Sequence, residues 1–533
     1  MRLDPAEIED LFARRLLSRR QFARALIAAG VTVAGVEGLL GADWGAAEAT
    51  VAPEDRYLVL IVMDGFRADY RSLAPMHHLH ALMARGTFYD TAWVGHLESE
   101  TPSGHATIAT GAYPNTHSVI GFGWRNVQDN NFTYMPTNLP QIRAGALTRS
   151  MAAGGVPTIA ELIHARRSKD VVVSMSGEKY YASATMGAGA DYVFYGADDK
   201  KQVFRPVSIG PSTPPPGPYD HVAGTSDFAS QDAFVADLAV DVVRTLKPRA
   251  LLVNLPDTDI AGHYYGGMID PRDMTGIIKN ADAAIGKIVN EYQRLGLLDR
   301  TVFVVTADHG MAANRHIPPV HPMYKAVAHS SSGSLDEEFR ISMGSVWLRQ
   351  LGDAEAVAAA LATGKFTGVE GALYKVASGT GWTFEPDKTT QEKLPAKLLD
   401  AYLRLAQTEA CPAGPEVIMP YAADTVGLVL HTRKRWGQHG GFSFGVQEIP
   451  IVLAGPGVNH TISHFPAKLV DVAPTIERLL DLPVPNGVDG VVLADAIQGS
   501  KSQDRAAQES VASIRLGDRE TIKAHSLSQS PTG

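Results

Sequence analysis

The chain has 533 residues, of which 45% are hydrophobic and 20% are charged. This length suffices for one large α/β domain with insertions or for two domains. The net charge of -9 argues against nucleic-acid binding, which usually requires a basic patch. The single cysteine, Cys411, excludes an intramolecular disulfide and a thiolate cluster, so a metal site must use histidine and carboxylate ligands.

The N-terminal segment has the three parts of an export signal. The pair Arg19-Arg20 is followed by a weakly apolar stretch over residues 23–40 and by an Ala-Glu-Ala cleavage pattern that ends at Ala49. The arginine pair resembles a twin-arginine (Tat) signal, and an amphipathic helix with an incidental arginine pair is the alternative. We predict that residues 1–49 are a Tat-type signal peptide, without a permanent membrane span, that uses the Tat export machinery. The mature protein is then periplasmic or extracellular.

Five short apolar runs predict buried strands, and helical patterns lie between them. The predicted strands are Tyr57 to Met63, Val171 to Met175, Ala250 to Leu255, Thr301 to Thr306 and Ile449 to Ala454. The predicted helices are Met76 to Arg85, Thr158 to Ala165, Gln231 to Leu246 and Arg272 to Leu295. This alternation predicts an α/β fold with a mostly parallel central sheet and helices on both faces. Such sheets bind ligands at the carboxyl ends of their strands.

The remaining regions have weaker patterns. Pro211 to Pro218 is a proline-rich loop, and the long region from Ala312 to Arg435 contains one clear helix, Asp353 to Ala362. We predict that this long region is an insertion that caps the active-site face, and that the polar C-terminal tail is poorly ordered. The predicted division is a signal peptide (1–49), a catalytic domain (50–311 and 436–498), an insertion or cap (312–435) and a polar tail (499–533).

Candidate metal ligands follow two of the predicted strands directly. Asp64 comes at the end of the first strand, where a carboxylate can bind a metal or cap the next helix. Asp308 and His309 follow the strand that ends at Thr306 and precede Gly310. In the irregular turn after a strand, both side chains can converge on one ion, and glycine lets the chain leave sharply.

Asp259 and His263 follow another predicted strand and are four residues apart. On a helical turn this spacing places both side chains on one side, as a carboxylate–imidazole pair of zinc ligands requires. A surface histidine is the alternative, and Asp257 competes with Asp259 for the carboxylate role. His439 lies between glycine pairs, where it can approach a metal closely or serve only as a loop residue.

The candidate nucleophile is Thr101, which precedes Pro102 at a predicted helix start. A residue before proline favours a non-helical backbone, so we predict an exposed hydroxyl at the N-terminus of a helix. Helix N-terminal amides would face an anion bound there. An N-cap threonine is the alternative, and Ser103 offers a rival hydroxyl.

Taken in order, these residues resemble the alkaline phosphatase superfamily, specifically its type I phosphodiesterase/nucleotide pyrophosphatase branch and the related single-threonine phosphatases. The matching stretches, spread over about Arg56 to Gly490, are Met63 to Arg67, Thr101 to His105, Thr110 to Pro114 with His117, Asp259 to His263, Thr306 to Met311, Gln438 to Gly441 and Asp471 to Thr475. The resemblance implies an exported two-metal hydrolase of small-molecule phosphoric esters. It also implies that Thr101 forms a phosphothreonine intermediate.

The resemblance also implies two ligand sets. One ion takes Asp64, Asp308 and His309 with the Thr101 oxygen beside it, and the other takes Asp259, His263 and His439. The expected ions are two Zn²⁺ per chain, although manganese or iron would tolerate the same ligands. Two ions roughly 4 Å apart can clamp the attacking and leaving oxygens of an in-line displacement.

The sequence departs from the family pattern at the expected phosphoryl-binding positions. Relatives usually carry an asparagine where this chain has Phe122, which could instead contact a leaving group. The nearby Asn126 and Arg125 could substitute for the missing asparagine. Monoester-specific relatives carry a lysine and an arginine, of which this chain offers only Lys179, itself open to being a solvated lysine. These departures favour a phosphodiesterase or nucleotide pyrophosphatase.

Three alternatives remain open: a phosphomonoesterase of the alkaline phosphatase kind, a phosphonate hydrolase, and an inactive relative that binds metal or phosphate without turnover. A sulfatase is disfavoured, because the segment from Cys411 to Gly414 lacks the Cys-x-Pro-x-Arg pattern and lies far from the nucleophile position.

Overall fold

The computed structural model describes residues 51–125, 132–134, 138–198, 203–225, 227, 229–314, 320–331, 339–342, 344–423, 425 and 436–529. The predicted signal peptide and Asn126 lie outside the described residues.

The strands form the framework that positions the site. They are β1 (Tyr57–Met63), β2 (Gly86–Tyr89), β3 (Gly123–Arg125), β4 (Phe132–Tyr134), β5 (Val172–Ser176), β6 (Tyr192–Asp198), β7 (Phe204–Ser208), β8 (Ala250–Leu255), β9 (Thr301–Thr306), β10 (Ala312–Ala313), β11 (Phe339–Ser342), β12 (Ser345–Leu348), β13 (Leu373–Ser378), β14 (Gly381–Pro386), β15 (Val417–Ile418), β16 (Gly437–Gln438), β17 (Ile451–Ala454) and β18 (Thr461–Ser463).

Helices connect these strands and cover the sheet. They are α1 (His77–Ala84), α2 (Thr101–Thr110), α3 (Pro114–His117), α4 (Leu139–Arg143), α5 (Ala146–Gly154), α6 (Ile159–Arg166), α7 (Tyr180–Met186), α8 (Gln231–Leu246), α9 (Asp257–Tyr265), α10 (Pro271–Arg294), α11 (Val320–Ser330), α12 (Ala354–Leu361), α13 (Lys388–Lys393), α14 (Ala396–Gln407), α15 (Phe444–Gln447), α16 (Val472–Leu479) and α17 (Ser502–Gln529). In the described part of the chain, no helix combines the length and apolar character that a membrane crossing needs.

The main sheet has nine strands among the described residues, in the order β18-β2-β17-β9-β1-β8-β5-β6-β7. Strand β1 pairs in parallel with β8 on one side and with β9 on the other. Strand β17 runs antiparallel to β9 and β2, and β7 runs antiparallel to β6, so the sheet is mostly parallel, as predicted. The three central strands are almost completely buried, which explains their continuous apolar sequences.

A second sheet, in the order β11-β12-β15-β13-β14, lies in the region predicted to be an insertion. The predicted helix in this region is α12. The strands of this region are harder to predict because β13 and β14 are half-exposed and lack the unbroken apolar run of a fully buried strand. Apolar side chains of α14 share a buried cluster with Trp93 and Leu97, which precede α2. The region is therefore packed against the segment that leads into α2.

The prediction of a poorly ordered C-terminal tail is wrong. Helix α17 spans 28 residues of that segment. Its Arg515 is buried and donates to Asp471 of the main domain across 2.6 and 3.1 Å. Its Asp518 accepts from Arg404 of α14 across 2.8 Å. The charged residues that give the tail a polar composition are therefore paired with distant parts of the chain, which composition alone does not reveal.

Candidate active site

Three strand-end carboxylates meet at one edge of the main sheet. Asp64 follows β1, Asp308 follows β9, and Asp259 lies in the first turn of α9 directly after β8. They come together because β8 and β9 are the two neighbours of β1. Gly65 has a φ of 67°, and a side chain there would collide with Asp259. Glycine thus permits the close approach of the turn after β1 to α9.

The first predicted ligand set forms a compact group. Asp64, Asp308 and His309 each offer a ligand atom within 4.8 Å of the others. Asp308 Oδ1 accepts hydrogen bonds from the backbone N–H groups of Gly65 and His309, both across 3.0 Å. The His309 Nε2 atom lies 3.2 Å from Asp308 Oδ2 and 3.7 Å from Asp64 Oδ1. These contacts bring the predicted set together.

The second predicted ligand set is also brought together, with one difference in grouping. The compact group contains Asp259 and His439 with His309, all with ligand atoms within 4.8 Å of one another. His263 stands at its border, with Nε2 lying 3.5 Å from Asp259 Oδ2. The rings of His309 and His439 stack at 3.6 Å, which explains why His309 reaches both groups.

The histidines present their Nε2 atoms to the carboxylates because backbone carbonyls occupy the other ring nitrogen. The Nδ1 atom lies 2.9 Å from Gly310 O in His309, 3.0 Å from Ser99 O in His439 and 2.9 Å from Gly437 O in His263. Such carbonyl partners orient metal-binding histidines in proteins. Asp64 Oδ2 is buried and has no hydrogen-bond partner among the described residues, which leaves an oxygen for an ion. The donor set therefore fits a divalent cation such as zinc.

Lys179 joins the two groups. Its Nζ donates to Asp64 Oδ1 across 2.7 Å and also donates to Asp259. The Lys179 side chain is 5% exposed, so it is not a solvated lysine, although its present partners are carboxylates. Burial alone would lower the pKa of Lys179, but Asp259 and Asp64 raise it well above its ordinary value.

Thr101 faces both groups from the first turn of α2. Its Oγ1 lies 3.3 Å from His309 Nε2 and 3.5 Å from Asp64 Oδ1. Two details of the prediction are wrong: Thr101 is the first helical residue, because Glu100 caps the helix, and Thr101 is only 1% exposed. Pro102 is tolerated beside it because the first turn of a helix leaves its N–H groups without intrahelical partners.

The rival hydroxyl of Ser103 has a capping role. Ser103 Oγ donates to the carbonyl of Glu98 and also to Glu100 O across 3.1 Å. Glu100, which the sequence pattern does not single out, accepts from the Phe122 N–H across 2.7 Å and so ties that loop to the start of α2. Ser103 is therefore occupied by the backbone, which favours Thr101 as the nucleophile.

A buried polar chain holds α2 against the sheet. His105 Nδ1 lies 2.8 Å from Thr101 O, and its Nε2 lies 3.0 Å from Asn254 Oδ1. Asn254 in turn donates to Ser176 Oγ across 3.0 Å. The sequence signal for this chain is an asparagine within the apolar run of β8, because a buried amide requires partners.

The predicted substrate-binding residues have different positions. Phe122 is half-buried and packs edge to face on Tyr181, with ring centroids 5.0 Å apart. Asn126 lies outside the described residues, and its role stays a prediction. Asp257 does not join the ligand groups: its Oδ2 accepts from the Asp232 N–H across 3.0 Å, and its own N–H donates back to Asp232. That reciprocal pair explains why Asp259 is the carboxylate that reaches the site.

Burial and neighbouring charges shift the acids in opposite directions. Burial, together with Asp308, raises the pKa of Asp64 to about 6. Burial alone would raise the pKa values of Asp308 and Asp259. The charge of His309 instead lowers the pKa of Asp308, and the charges of His263 and Lys179 lower the pKa of Asp259. The site thus holds ionised carboxylates beside imidazoles, a charge pattern that suits cation binding.

Comparisons with known proteins agree with this geometry. A model of the family "Type I phosphodiesterase / nucleotide pyrophosphatase" matches residues 58–376. A bis(5'-adenosyl)-triphosphatase of Xenopus laevis is 22% identical over 258 residues, which cover 48% of this chain and 47% of that protein. Alkaline phosphatase PhoK of Sphingomonas sp is 22% identical over 333 residues, covering 52% of this chain and 58% of that protein. The chain thus spans about half the length of these curated relatives.

A solved structure shares the fold over most of this chain. A variant of alkaline phosphatase PafA superimposes with a TM-score of 0.64 at 15% identity, covering 84% of this chain and 100% of that one. At this identity the likeness concerns the fold, which is alkaline phosphatase-like.

Proposed function

Because the chain belongs to the type I phosphodiesterase/nucleotide pyrophosphatase family of phosphoric ester hydrolases, we propose that it is a metal-dependent phosphodiesterase or nucleotide pyrophosphatase acting through Thr101. One observation carries the proposal: Thr101 Oγ1, at the N-terminus of α2, faces His309 and Asp64 across 3.3 and 3.5 Å. A hydroxyl with these neighbours can serve as a nucleophile when its proton is made more acidic.

The proposed metal sites use the two predicted ligand sets. Asp64, Asp308 and His309 would hold one Zn²⁺, and Asp259, His263 and His439 would hold the other. The unpartnered Asp64 Oδ2 and the orientation of the histidines support this assignment. Two such ions would acidify the Thr101 hydroxyl and stabilise the attacking and leaving oxygens of an in-line displacement.

The residues of the chain then supply positioning. Thr101 Oγ gives up its proton and forms a bond to phosphorus while the bond to one alcohol oxygen of the diester breaks, and that leaving oxygen takes up a proton. The resulting phosphothreonine intermediate keeps the second ester group of the diester on its phosphorus. Water attacks the same phosphorus in the second step and releases Thr101 and the phosphoryl product. The positive end of the α2 dipole lies beside this phosphoryl group and favours its negative charge. His105 keeps Thr101 in place through the hydrogen bond between its Nδ1 and the Thr101 carbonyl oxygen.

A diester is the proposed substrate in preference to a monoester. The Phe122 side chain has no amide that could donate to a phosphoryl oxygen, and no arginine is adjacent to Lys179 in the sequence. A phosphomonoesterase or a phosphonate hydrolase is the second candidate, which the buried position of Lys179 near Thr101 favours. An inactive relative is the non-enzyme alternative.

Hydrolysis of three chromogenic substrates by the zinc-loaded protein tests this proposal. We expect bis(p-nitrophenyl) phosphate to be hydrolysed with a higher kcat/KM than p-nitrophenyl phosphate or p-nitrophenyl phenylphosphonate. A clear monoester or phosphonate preference would replace the proposed function with the second candidate. Failure to hydrolyse any of the three would favour the inactive alternative.

Two further proposals concern the whole chain. We propose that residues 312–435 form a cap over the site that selects the leaving group.

We also propose that residues 1–49 direct export by the Tat pathway. Replacing Arg19 and Arg20 together by lysine is expected to leave the full chain in the cytoplasm, while replacing Arg14 and Arg15 in the same way should not. Export that survives the Arg19/Arg20 change would contradict the signal assignment.

A further inference from the structure

Two aromatic residues, Phe122 and Tyr181, are linked through the chain to the residues around Thr101 and Lys179. Phe122 and Tyr181 pack edge to face, with ring planes at 80° and centroids 5.0 Å apart. Both are half-buried, whereas Asp64, Asp259 and Asp308 are at most 2% exposed. The pair is therefore more accessible to solvent than the buried ligand groups.

Phe122 and Tyr181 are each linked to α2, the helix that begins at Thr101. The Phe122 N–H donates to the Glu100 carboxylate, which caps α2 immediately before Thr101. Tyr181 lies in the first turn of α7, and α7 packs alongside α2. The positions of both rings are therefore fixed relative to the Thr101 hydroxyl.

The charged groups of the site act on the Tyr181 hydroxyl, but among the described residues they form no hydrogen bond with it. It is close enough to Lys179, Asp64 and Asp259 for their charges to act on it. Among the described residues, none forms a hydrogen bond with this hydroxyl, although a phenol can both donate and accept. This hydroxyl, on a partly exposed side chain, is thus available to a ligand.

The neighbouring residues have other contacts. Lys179, two positions earlier, already donates to Asp64 and Asp259. The Tyr180 ring, one position earlier, lies 5.7 Å from the Tyr195 ring and 5.3 Å from the Tyr181 ring, and its hydroxyl has the Leu139 backbone as a hydrogen-bond partner. Of the three described residues 179 to 181, Tyr181 is therefore the one whose side-chain polar group remains available to a ligand.

We propose that the Tyr181 hydroxyl donates a hydrogen bond to a non-bridging phosphoryl oxygen of the substrate at Thr101, while Phe122 shields that contact from water. The proposal rests on the proposed function in one respect, that the ester binds at Thr101. A phenol is neutral at pH 7, so it stabilises an anionic oxygen without adding a full positive charge. Such a donor suits the single charge of a phosphodiester better than the double charge of a monoester.

Substitution of Tyr181 tests this role directly. Hydrogen bonds to charged groups have effects that correspond to about ten- to a hundredfold in rate. We expect Tyr181→Phe to lower kcat/KM for bis(p-nitrophenyl) phosphate by about that factor. Tyr180→Phe, the matched control that also loses one hydroxyl, should leave kcat/KM within about twofold. Tyr181→Arg should raise the monoester-to-diester ratio at least about tenfold, because arginine adds a fixed charge.

A binding measurement separates this inference from the proposed function. Calorimetric titration of the zinc-loaded full chain with inorganic phosphate should give weaker binding for Tyr181→Phe than for Tyr180→Phe, and tighter binding for Tyr181→Arg. Equal affinity in all three variants, with unchanged thermal stability, would overturn the role of Tyr181. A monoester preference of the unsubstituted protein would overturn the proposed function instead, and the ratios between variants would still report on Tyr181.

Discussion

Lys179 Nζ donates to Asp64 Oδ1 across 2.7 Å, and the two side chains are only 5% and 0% exposed. Because the same ammonium also donates to Asp259, it connects one carboxylate from each predicted ligand set. Lys179 and the proposed ions would therefore both neutralise these buried negative charges. Its contribution to stability should depend on whether the metal sites are filled.

The first prediction concerns this dependence. Lys179→Met should lower the free energy of unfolding of the chelator-treated protein by about 3–5 kcal/mol, because it leaves buried carboxylates without a partner. The loss should be smaller in the zinc-loaded protein, where the ions balance the same charges. Denaturant unfolding with and without zinc measures the difference.

Lys375 provides the matched control. It is also buried, but it pairs with Glu416 across 3.0 Å and with the carbonyl oxygens of Cys411 and Gly414, away from the ligand groups. Lys375→Met should destabilise both forms equally. An equal loss for Lys179→Met in both forms would contradict the link between Lys179 and the metal sites.

The second prediction distinguishes the two hydroxyls of α2. Thr101→Ala should lower kcat for bis(p-nitrophenyl) phosphate by more than about a thousandfold, because it removes the nucleophile. Thr101→Ser should retain part of the activity, and Ser103→Ala should retain most of it, since Ser103 Oγ is engaged by backbone carbonyls. Mass spectrometry of enzyme that is acid-quenched during turnover of this diester should find a p-nitrophenylphosphoryl group on the residue at position 101. The same group on Ser103 would reverse the assignment.

The central part of the fold and site could be predicted because its signals are local. Strands β1, β8 and β9 begin and end at the predicted residues, since complete burial requires an unbroken apolar run. The acids that follow them converge because the carboxyl ends of neighbouring parallel strands share one edge. The predicted histidine ligands likewise follow a strand end or lie next to glycines that are visible in the sequence. They are His263, His309 and His439.

The remaining features depend on contacts between distant parts of the chain. Nothing around Glu100 in the sequence indicates that it caps α2 and fixes Phe122. The bridging position of Lys179 requires two carboxylates that are 115 and 80 residues away. Helix α17 packs on the rest of the protein despite its polar composition, because Arg515 and its other buried charged residues are paired with distant residues. Pairing over such separations leaves no local sequence pattern.

The third prediction concerns the metal assignment. His439→Ala should lower the zinc content measured by atomic absorption by about one ion per chain, because His439 belongs to the second ligand set. His464→Ala is the control, since His464 is exposed and pairs with Asp90 outside the site. Full retention of both ions by His439→Ala would contradict the assignment.

The fourth prediction concerns the last helix. Arg515 is 7% exposed and holds Asp471, which is completely buried and also accepts from the Val491 N–H across 2.8 Å. Arg515→Met should lower the free energy of unfolding by about 3–5 kcal/mol, because Asp471 would keep a buried charge without its cation. The exposed Arg505→Met should change it by less than about 0.5 kcal/mol. Similar values for the two variants would show that the buried pair contributes little.

The fifth prediction concerns the pH dependence of stability. Glu477 in α16 is completely buried, and neither carboxyl oxygen has a hydrogen-bond partner among the described residues. Burial raises its pKa from 4.5 to about 8, against a smaller opposing effect of Arg478. Between these values the folded state holds the proton more tightly than the unfolded state, so Glu477 lowers stability as the pH rises.

Replacement of Glu477 should remove that slope. Glu477→Met is expected to raise the free energy of unfolding by about 1–3 kcal/mol more at pH 9 than at pH 5, because only the ionised carboxylate is costly to bury. Denaturant unfolding at both pH values measures the effect, and the exposed Glu509→Gln should leave the slope unchanged. If Glu477→Met shifts stability equally at the two pH values, the buried carboxyl does not change its ionisation on unfolding.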